Sequence, residues 1–173
     1  MSTIPMTLVQ INALSHAAFV AALGPLFEGS PWIADSTWTA RPFGGIDQLH
    51  QALCATMYAA PIERQVALIQ AHPDLAGKAA IAGELTAESA REQSSAGLSR
   101  LVPEQFATFT RLNQAYREKF GFPFVICARE HSATSILNHF ATRLEHPRAQ
   151  EIATALGEIA KIARLRLLDA VRA

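Results

Sequence analysis

The segment Ala71-His72-Pro73-Asp74-Leu75-Ala76-Gly77-Lys78 sets a histidine directly before a proline, just past the apolar run of Val66, Leu68 and Ile69. Proline disfavours the α conformation in the residue before it, so His72 is predicted to be held extended just beyond a helix end. Histidine is the side chain whose unperturbed pKa, about 6.5, lies nearest neutrality, which makes it the best-suited proton donor or acceptor in the chain. Spacing alone does not separate this reading from a surface histidine at a helix stop.

Three other stretches carry polar groups in suggestive places. In Leu85 to Leu98, Thr86 suits an N-cap, Glu88 complements the helix dipole and Gly97 suits a stop, so Ser89, Glu92 and Gln93 share one face at i, i+3 and i+4. That face has no long apolar residue, so it is either solvated or turned into a polar pocket. Phe122-Pro123-Phe124-Val125-Ile126-Cys127-Ala128 is a β-like apolar run isolated between helices, with Pro123 removing a ladder donor. It is predicted to be an extended buried connector whose backbone N–H groups are met by side chains, water or a planar, carbonyl-rich ligand. Arg164 and Arg166 lie in a C-terminal stretch rich in leucine and isoleucine. Leu165 and Leu168 bracket Arg166 and Ile162 lies one turn before it, so this arginine is expected along the apolar face, where it needs an anion unless it snorkels to solvent.

Other chemistries find little support. Of the six histidines, His131 and His139 are eight apart and His139 and His146 seven apart, and no His-x-x-x-His pair or cysteine knuckle occurs. Neither a Gly-x-Ser-x-Gly elbow nor a phosphate loop is present. Lysine plus arginine and aspartate plus glutamate balance at 15 each, which removes the positive field a nucleic-acid or anionic-membrane binder exploits and favours a small-molecule partner. Cys54 and Cys127 sit far apart in apolar surroundings, as reduced buried thiols do. With no basic leader, no spanning apolar window and no Ser-Lys-Leu ending, a bacterial cytoplasm is the expected location.

The elements that must position these residues read as helices. Phe106, Phe109, Leu112, Tyr116 and Phe120 recur at three or four after Pro103, up to Gly121. Ser132 suits the N-cap of a stripe made by Ile136, Leu137, Phe140 and Leu144, and Pro147 to about Val171 is expected to be the longest helix. Upstream, helices are predicted after Ser15, from Ile46 to Ala60 and from Ile62 to Ala71, with Gly29 to Gly45 an ordered loop anchored by two tryptophans. At 173 residues and 50% apolar content, with no repeat and no strand alternation, the expectation is an all-α, single-domain multi-helix bundle spanning residues 1–173.

Together these segments resemble the decarboxylases of 2-oxo-4-hydroxy-4-carboxy-5-ureidoimidazoline (OHCU), from Phe19 almost to the C-terminus. The residues that carry the resemblance are Phe27-Glu28-Gly29-Ser30-Pro31-Trp32, Arg41-Pro42-Phe43, Ala71-His72-Pro73-Asp74-Leu75, Glu92-Gln93 with Ala96-Gly97-Leu98, Leu112-Asn113 with Tyr116, Lys119 to Phe124, and Arg164-Leu165-Arg166-Leu167. Each is common, but their order and spacing are specific. The chain departs from the family pattern near Glu130, where many relatives place a glycine.

The resemblance implies an all-helical homodimer that converts OHCU to (S)-allantoin in urate degradation without metal or organic cofactor. It implies His72 as the catalytic acid, with Glu92 essential and Pro73 lining the site. Ser89, Ala90, Arg91 and Gln93 would hold the substrate with Glu92, and Phe124, Val125, Ile126, Cys127 and Ala128 would bind it through backbone groups. Arg166, or its neighbour Arg164, would meet the anionic substrate. These residue types suit the chemistry. Loss of CO2 leaves negative charge on a conjugated ring, which calls for hydrogen-bond donors aimed at that charge and an acid on one face. A non-catalytic helical module that binds a protein partner is the competing class, and would not depend on His72 or Glu92. A metallohydrolase is a further alternative that metal analysis would separate.

Overall fold

Apolar spacing of three and four is realised as ten α-helices in the computed structural model, which describes residues 5–173. These are α1 (Leu8–Ala13), α2 (His16–Leu23), α3 (Trp32–Thr37), α4 (Ile46–Ala59), α5 (Ile62–Gln70), α6 (Lys78–Ala82), α7 (Ala87–Ser95), α8 (Pro103–Phe120), α9 (Ala133–Leu144) and α10 (Arg148–Ala170). The fold class is all-α. A parallel pairing of two residues each, Met6–Thr7 with Val171–Arg172, is the one strand contact among the described residues, and alternation could not reveal an element so short.

The predicted caps are realised. Ser15, Thr86 and Ser132 accept through their side chains from the backbone N–H of Ala18, Ser89 and Ser135. Gly121 ends α8 in the left-handed conformation at φ 79°, where a side chain would be strained. At 23 residues α10 is the longest helix. The segment from Gly29 to Gly45 differs from the expected loop, because it contains α3 and a 3-10 turn at Trp38–Ala40. Pro31 precedes the first turn of α3, and Ile33, Ala34 and Thr37 form a buried stripe too short to stand out in the sequence. The Thr37 hydroxyl donates to the Ile33 carbonyl at 2.7 Å.

The chain divides into two compact units, one made of residues up to Ala71 with Ala160–Ala173, the other of His72–Ile159. In the first, α2 packs on α3 and α3 on α4 around Phe19, Leu23, Ile33, Leu49, Leu53 and Met57. Arg41 closes this unit by donating to the carbonyls of Trp38, Asn12 and Leu14 while its guanidinium lies 4.1 Å from the centre of the Trp38 ring. In the second, α8 packs on α9 over a cluster of rings from Phe109, Tyr116, Phe120, Phe122, Phe124 and Phe140. Each such ring is worth about 1.5–3 kcal/mol of buried apolar surface, so this cluster dominates the core of the unit. Both cysteines are free and buried, and burial pushes the Cys54 thiol up to about 11. Among the described residues no helix is long and apolar enough to cross a membrane.

Candidate active site

His72 is buried and follows Ala71, which caps α5, so the proline at 73 places it where expected, just past a helix end. The loop after it, Pro73 to Gly77, makes a tight turn in which Ala76 takes a positive φ of 51°, a conformation costly for a residue with a Cβ. That cost is carried by three side chains of the same unit. Gln93 of α7 accepts from the Ala76 N–H at 2.9 Å and donates to the Asp74 carbonyl at 3.2 Å. Asn113 of α8 donates to the Leu75 carbonyl at 2.8 Å, and Arg117, one turn later, donates to the Asp74 carboxylate at 2.8 Å. The bonds from Gln93 to Ala76 and from Asn113 to Leu75 are buried, whereas Arg117 and Asp74 keep 44% and 27% of their side-chain surface exposed. Buried bonds that satisfy otherwise stranded backbone groups are the stronger restraint.

Helix α7 presents the polar face that the spacing predicts, and its ends are fixed by Thr86 and the left-handed Gly97. Ser89 and Gln93 are buried and Glu92 is half-buried, while Ala90 and Arg91 point outward, with Arg91 paired to Glu88 at 3.5 Å. The face is therefore not simply solvated. Helix α7 also packs against the 3-10 turn Ala128–Glu130 at the end of the apolar connector. The His72 loop and the Ala128 end of the connector thus both lie against α7, within one unit.

Phe122 to Ala128 is buried throughout and runs without regular structure as far as Cys127, the extended connector expected from its composition. Part of its backbone is satisfied by charged side chains. The Val125 carbonyl accepts from the Arg143 guanidinium at 2.7 Å, and the Cys127 N–H donates to the Glu158 carboxylate at 2.8 Å. Arg143 is itself gripped by Glu151 at 2.9 Å, and the same carboxylate takes His146 Nδ1 at 2.8 Å and the Tyr116 hydroxyl. Burial, followed by the bond to Glu151, raises the Tyr116 phenol well above its ordinary value, so it stays a protonated donor.

In the other unit Arg166 is buried and donates to the Glu28 carboxylate at 2.9 Å and to the Pro25 carbonyl at 3.2 Å. Its neighbours differ from the expectation, since Leu168 is exposed and the buried phase runs through Ile162, Ala163, Arg166 and Leu167. Arg164 is half-buried and pairs with the largely exposed Asp47.

Asn113, Arg143, Glu151, Glu158 and Glu28 were given no role from sequence. The signal for Asn113 and Arg143 was present, as polar residues at i+4 and i+3 from Phe109 and Phe140 on apolar stripes. Among the described residues, no group of three or more histidine, cysteine or acidic side chains could hold a metal ion.

The model of the OHCU decarboxylase family matches residues 12–168. The chain belongs to the OHCU decarboxylase family. It is 43% identical over 162 residues to the 2-oxo-4-hydroxy-4-carboxy-5-ureidoimidazoline decarboxylase of Halalkalicoccus jeotgali, covering 94% of this chain and 90% of that protein. The Mus musculus protein of the same name is 42% identical, over 95% of this chain and 92% of its own. Among solved structures, an (S)-allantoin synthase superposes with a TM-score of 0.77 at 26% identity, over 97% of this chain and 54% of that one. An OHCU decarboxylase solved in the presence of (S)-allantoin superposes at 0.67 and 20% identity, covering 87% and 94%, and shares the fold.

Proposed function

We propose that this decarboxylase converts OHCU to (S)-allantoin without a cofactor, with His72 as the acid that delivers the proton to one face of the ring. The bond between ring carbon and carboxylate breaks, CO2 leaves, and the electron pair passes through the conjugated ring to a ring nitrogen, which takes up the proton given up as the hydroxyl on that carbon becomes a carbonyl. The proton from His72 then goes to the ring carbon that bears the ureido group, and His72 is reprotonated from solvent. Handedness follows from holding the ring so that only one face meets the imidazole. Glu92 accepts hydrogen bonds from ureido or ring N–H groups, and Ser89 and Gln93 hold the substrate beside it. Backbone groups of Phe124–Ala128 receive the planar ring, Pro73 lines it, and Arg166 answers its carboxylate. Ala90 and Arg91 set the spacing between Ser89 and Glu92, since both side chains face outward and the Ala90 N–H is bonded to the Thr86 carbonyl at 2.9 Å.

The observation that carries this reading is the fastening of the His72 loop to α7 through Gln93. A proton donor at a loop is useful only if its position is set, and here one buried and one part-buried bond join the loop to the helix that bears Ser89 and Glu92. The family match runs through both compact units, and we treat them as one catalytic domain, working as a cytoplasmic homodimer.

The test is a coupled assay in which urate oxidase and 5-hydroxyisourate hydrolase generate fresh OHCU and circular dichroism follows allantoin handedness. His72→Asn leaves Pro73 in place and should fold normally while losing stereospecific turnover. Near wild-type activity in that variant would remove His72 from the mechanism. A binding module of the competing class would show no turnover in the wild type.

A further inference from the structure

Arg143 joins two sets of contacts that a packing role alone does not require. On one side it grips the connector twice, through the Val125 carbonyl at 2.7 Å and by lying 4.2 Å from the centre of the Phe124 ring, which stacks on Phe140. On the other it is fixed by Glu151, whose side chain is fully buried and whose two oxygens also hold His146 and Tyr116. A buried ion pair is a poor way to gain stability, because desolvation offsets most of its attraction and a well-packed apolar pair often does as well. What it does supply is direction.

The peptide between Val125 and Ile126 is trans, so its C=O and N–H point opposite ways. With the carbonyl drawn to Arg143, the Ile126 N–H faces away from Arg143. The next peptide is fixed in the same manner, since Glu158 takes the Cys127 N–H and the Ile126 carbonyl must face away from Glu158. Two successive peptide planes are thus set by charged side chains from α9 and α10, leaving one residue with a donor and an acceptor turned from their holders.

We propose that Arg143, clamped by Glu151, is a positioning residue for the decarboxylation: it fixes the Val125–Ile126 peptide so that Ile126 meets the amide-like edge of the substrate. A ureido group or a cyclic urea carries adjacent N–H and C=O groups, the complement of what Ile126 offers. The inference rests on the reading that Phe124–Ala128 binds substrate, and it adds the residues that hold that segment in register.

The experiment uses 15N-labelled protein titrated with (S)-allantoin, together with the coupled assay on wild type, Arg143→Lys and Tyr116→Phe. Lysine keeps the charge but cannot reach Val125 and Glu151 at once with a planar fork. In the wild type the Ile126 amide resonance is expected to move on titration. In Arg143→Lys kcat/KM should fall about tenfold to a hundredfold, and the excess of (S) product should shrink. Tyr116→Phe removes one hydrogen bond to Glu151 and the acceptor that meets Arg143 Nη2 at 3.4 Å, without stranding a charge, and should lower kcat/KM about fivefold in the same direction. A purely structural network would lower the melting temperature and leave handedness untouched. If the wild-type amide moves but folded Arg143→Lys keeps wild-type KM and handedness, the positioning role is wrong while the binding segment stands. If Arg143→Lys does not fold, wild-type kcat/KM and handedness in Tyr116→Phe overturn the proposal. If no resonance from 124 to 128 moves in the wild type, the segment reading fails and takes the proposal with it.

Discussion

Replacing Gln93 with leucine tests whether the His72 loop is held by α7. The side chains are close in size, so the change opens little space and acts mainly on hydrogen bonds. It removes the acceptor of the Ala76 N–H and the donor to the Asp74 carbonyl, at 2.9 and 3.2 Å. Ala76 is buried, and a stranded buried donor costs about 1–3 kcal/mol, with a further ~1 kcal/mol for the second bond. The sum is roughly 2–4 kcal/mol, or a fall in Tm of about 5–15 °C for a chain of this size. Arg117→Ala gives the contrast: its pair with Asp74 is partly exposed and worth about 0–1 kcal/mol, so Tm should move by no more than a few degrees.

The loop also carries the proposed acid, so Gln93→Leu should lower kcat/KM by about tenfold to a hundredfold, the scale of a displacement near 1 Å at a reacting group. Thermal unfolding gives the first quantity and the coupled assay, run well below Tm, gives the second. Loss of Tm with unchanged kcat/KM and unchanged handedness would show that the loop need not be fixed for catalysis. An unchanged Tm would show that the Ala76 and Asp74 backbone groups find other partners.

Glu92→Ala should be nearly as damaging as loss of His72, while Glu92→Gln should retain some binding because an amide oxygen still accepts; normal turnover by folded Glu92→Ala protein would remove Glu92 from the substrate contacts. Arg166→Met takes a charged partner from the buried Glu28 carboxylate and should cost about 2–4 kcal/mol, where Arg164→Ala costs under about 1 kcal/mol beside an exposed Asp47. Adding Glu28→Gln to Arg166→Met should restore much of that stability while KM stays raised, and a wild-type KM in the double variant would make Arg166 a structural residue only. The Cys54 thiol titrates near 9.0 in an unfolded chain and at about 11 in the fold, so the folded state binds this proton more tightly. Its contribution to stability is therefore whole below pH 9.0 and is lost as pH rises through about 11; Cys54→Ala should flatten that limb of a plot of Tm against pH, and an unchanged limb would assign it to other groups.

The elements were legible where apolar periodicity was long and capped. Phe109 to Phe120 with Gly121, and Ile136 to Phe140 after Ser132, carry their phase and boundaries in residue type. Helices of five or six residues were not. Leu8–Ala13, Trp32–Thr37 and Lys78–Ala82 complete fewer than two turns, too few for a stripe to rise above chance, and they hold their shape through contacts made elsewhere in the fold.

At the site, phase was legible and partnership was not. Helical spacing put Ser89, Glu92 and Gln93 on one face, but it could not say that Gln93 would reach back to residues 74 and 76. It put Arg166 on the buried side of α10, and left open which anion would meet it. Glu28 lies 138 residues earlier, and nothing local ties the two, yet the pairing changes what a mutation measures. An arginine waiting for substrate would show its loss mainly in KM, with little change in stability. One already clamped by a buried carboxylate shows a loss of stability whether or not it also binds, because the buried carboxylate loses a charged partner. Stability alone therefore cannot assign Arg166, and the same holds for Arg143 with Glu151. In both cases the pair must be neutralised together before the chemistry of the remaining site can be read.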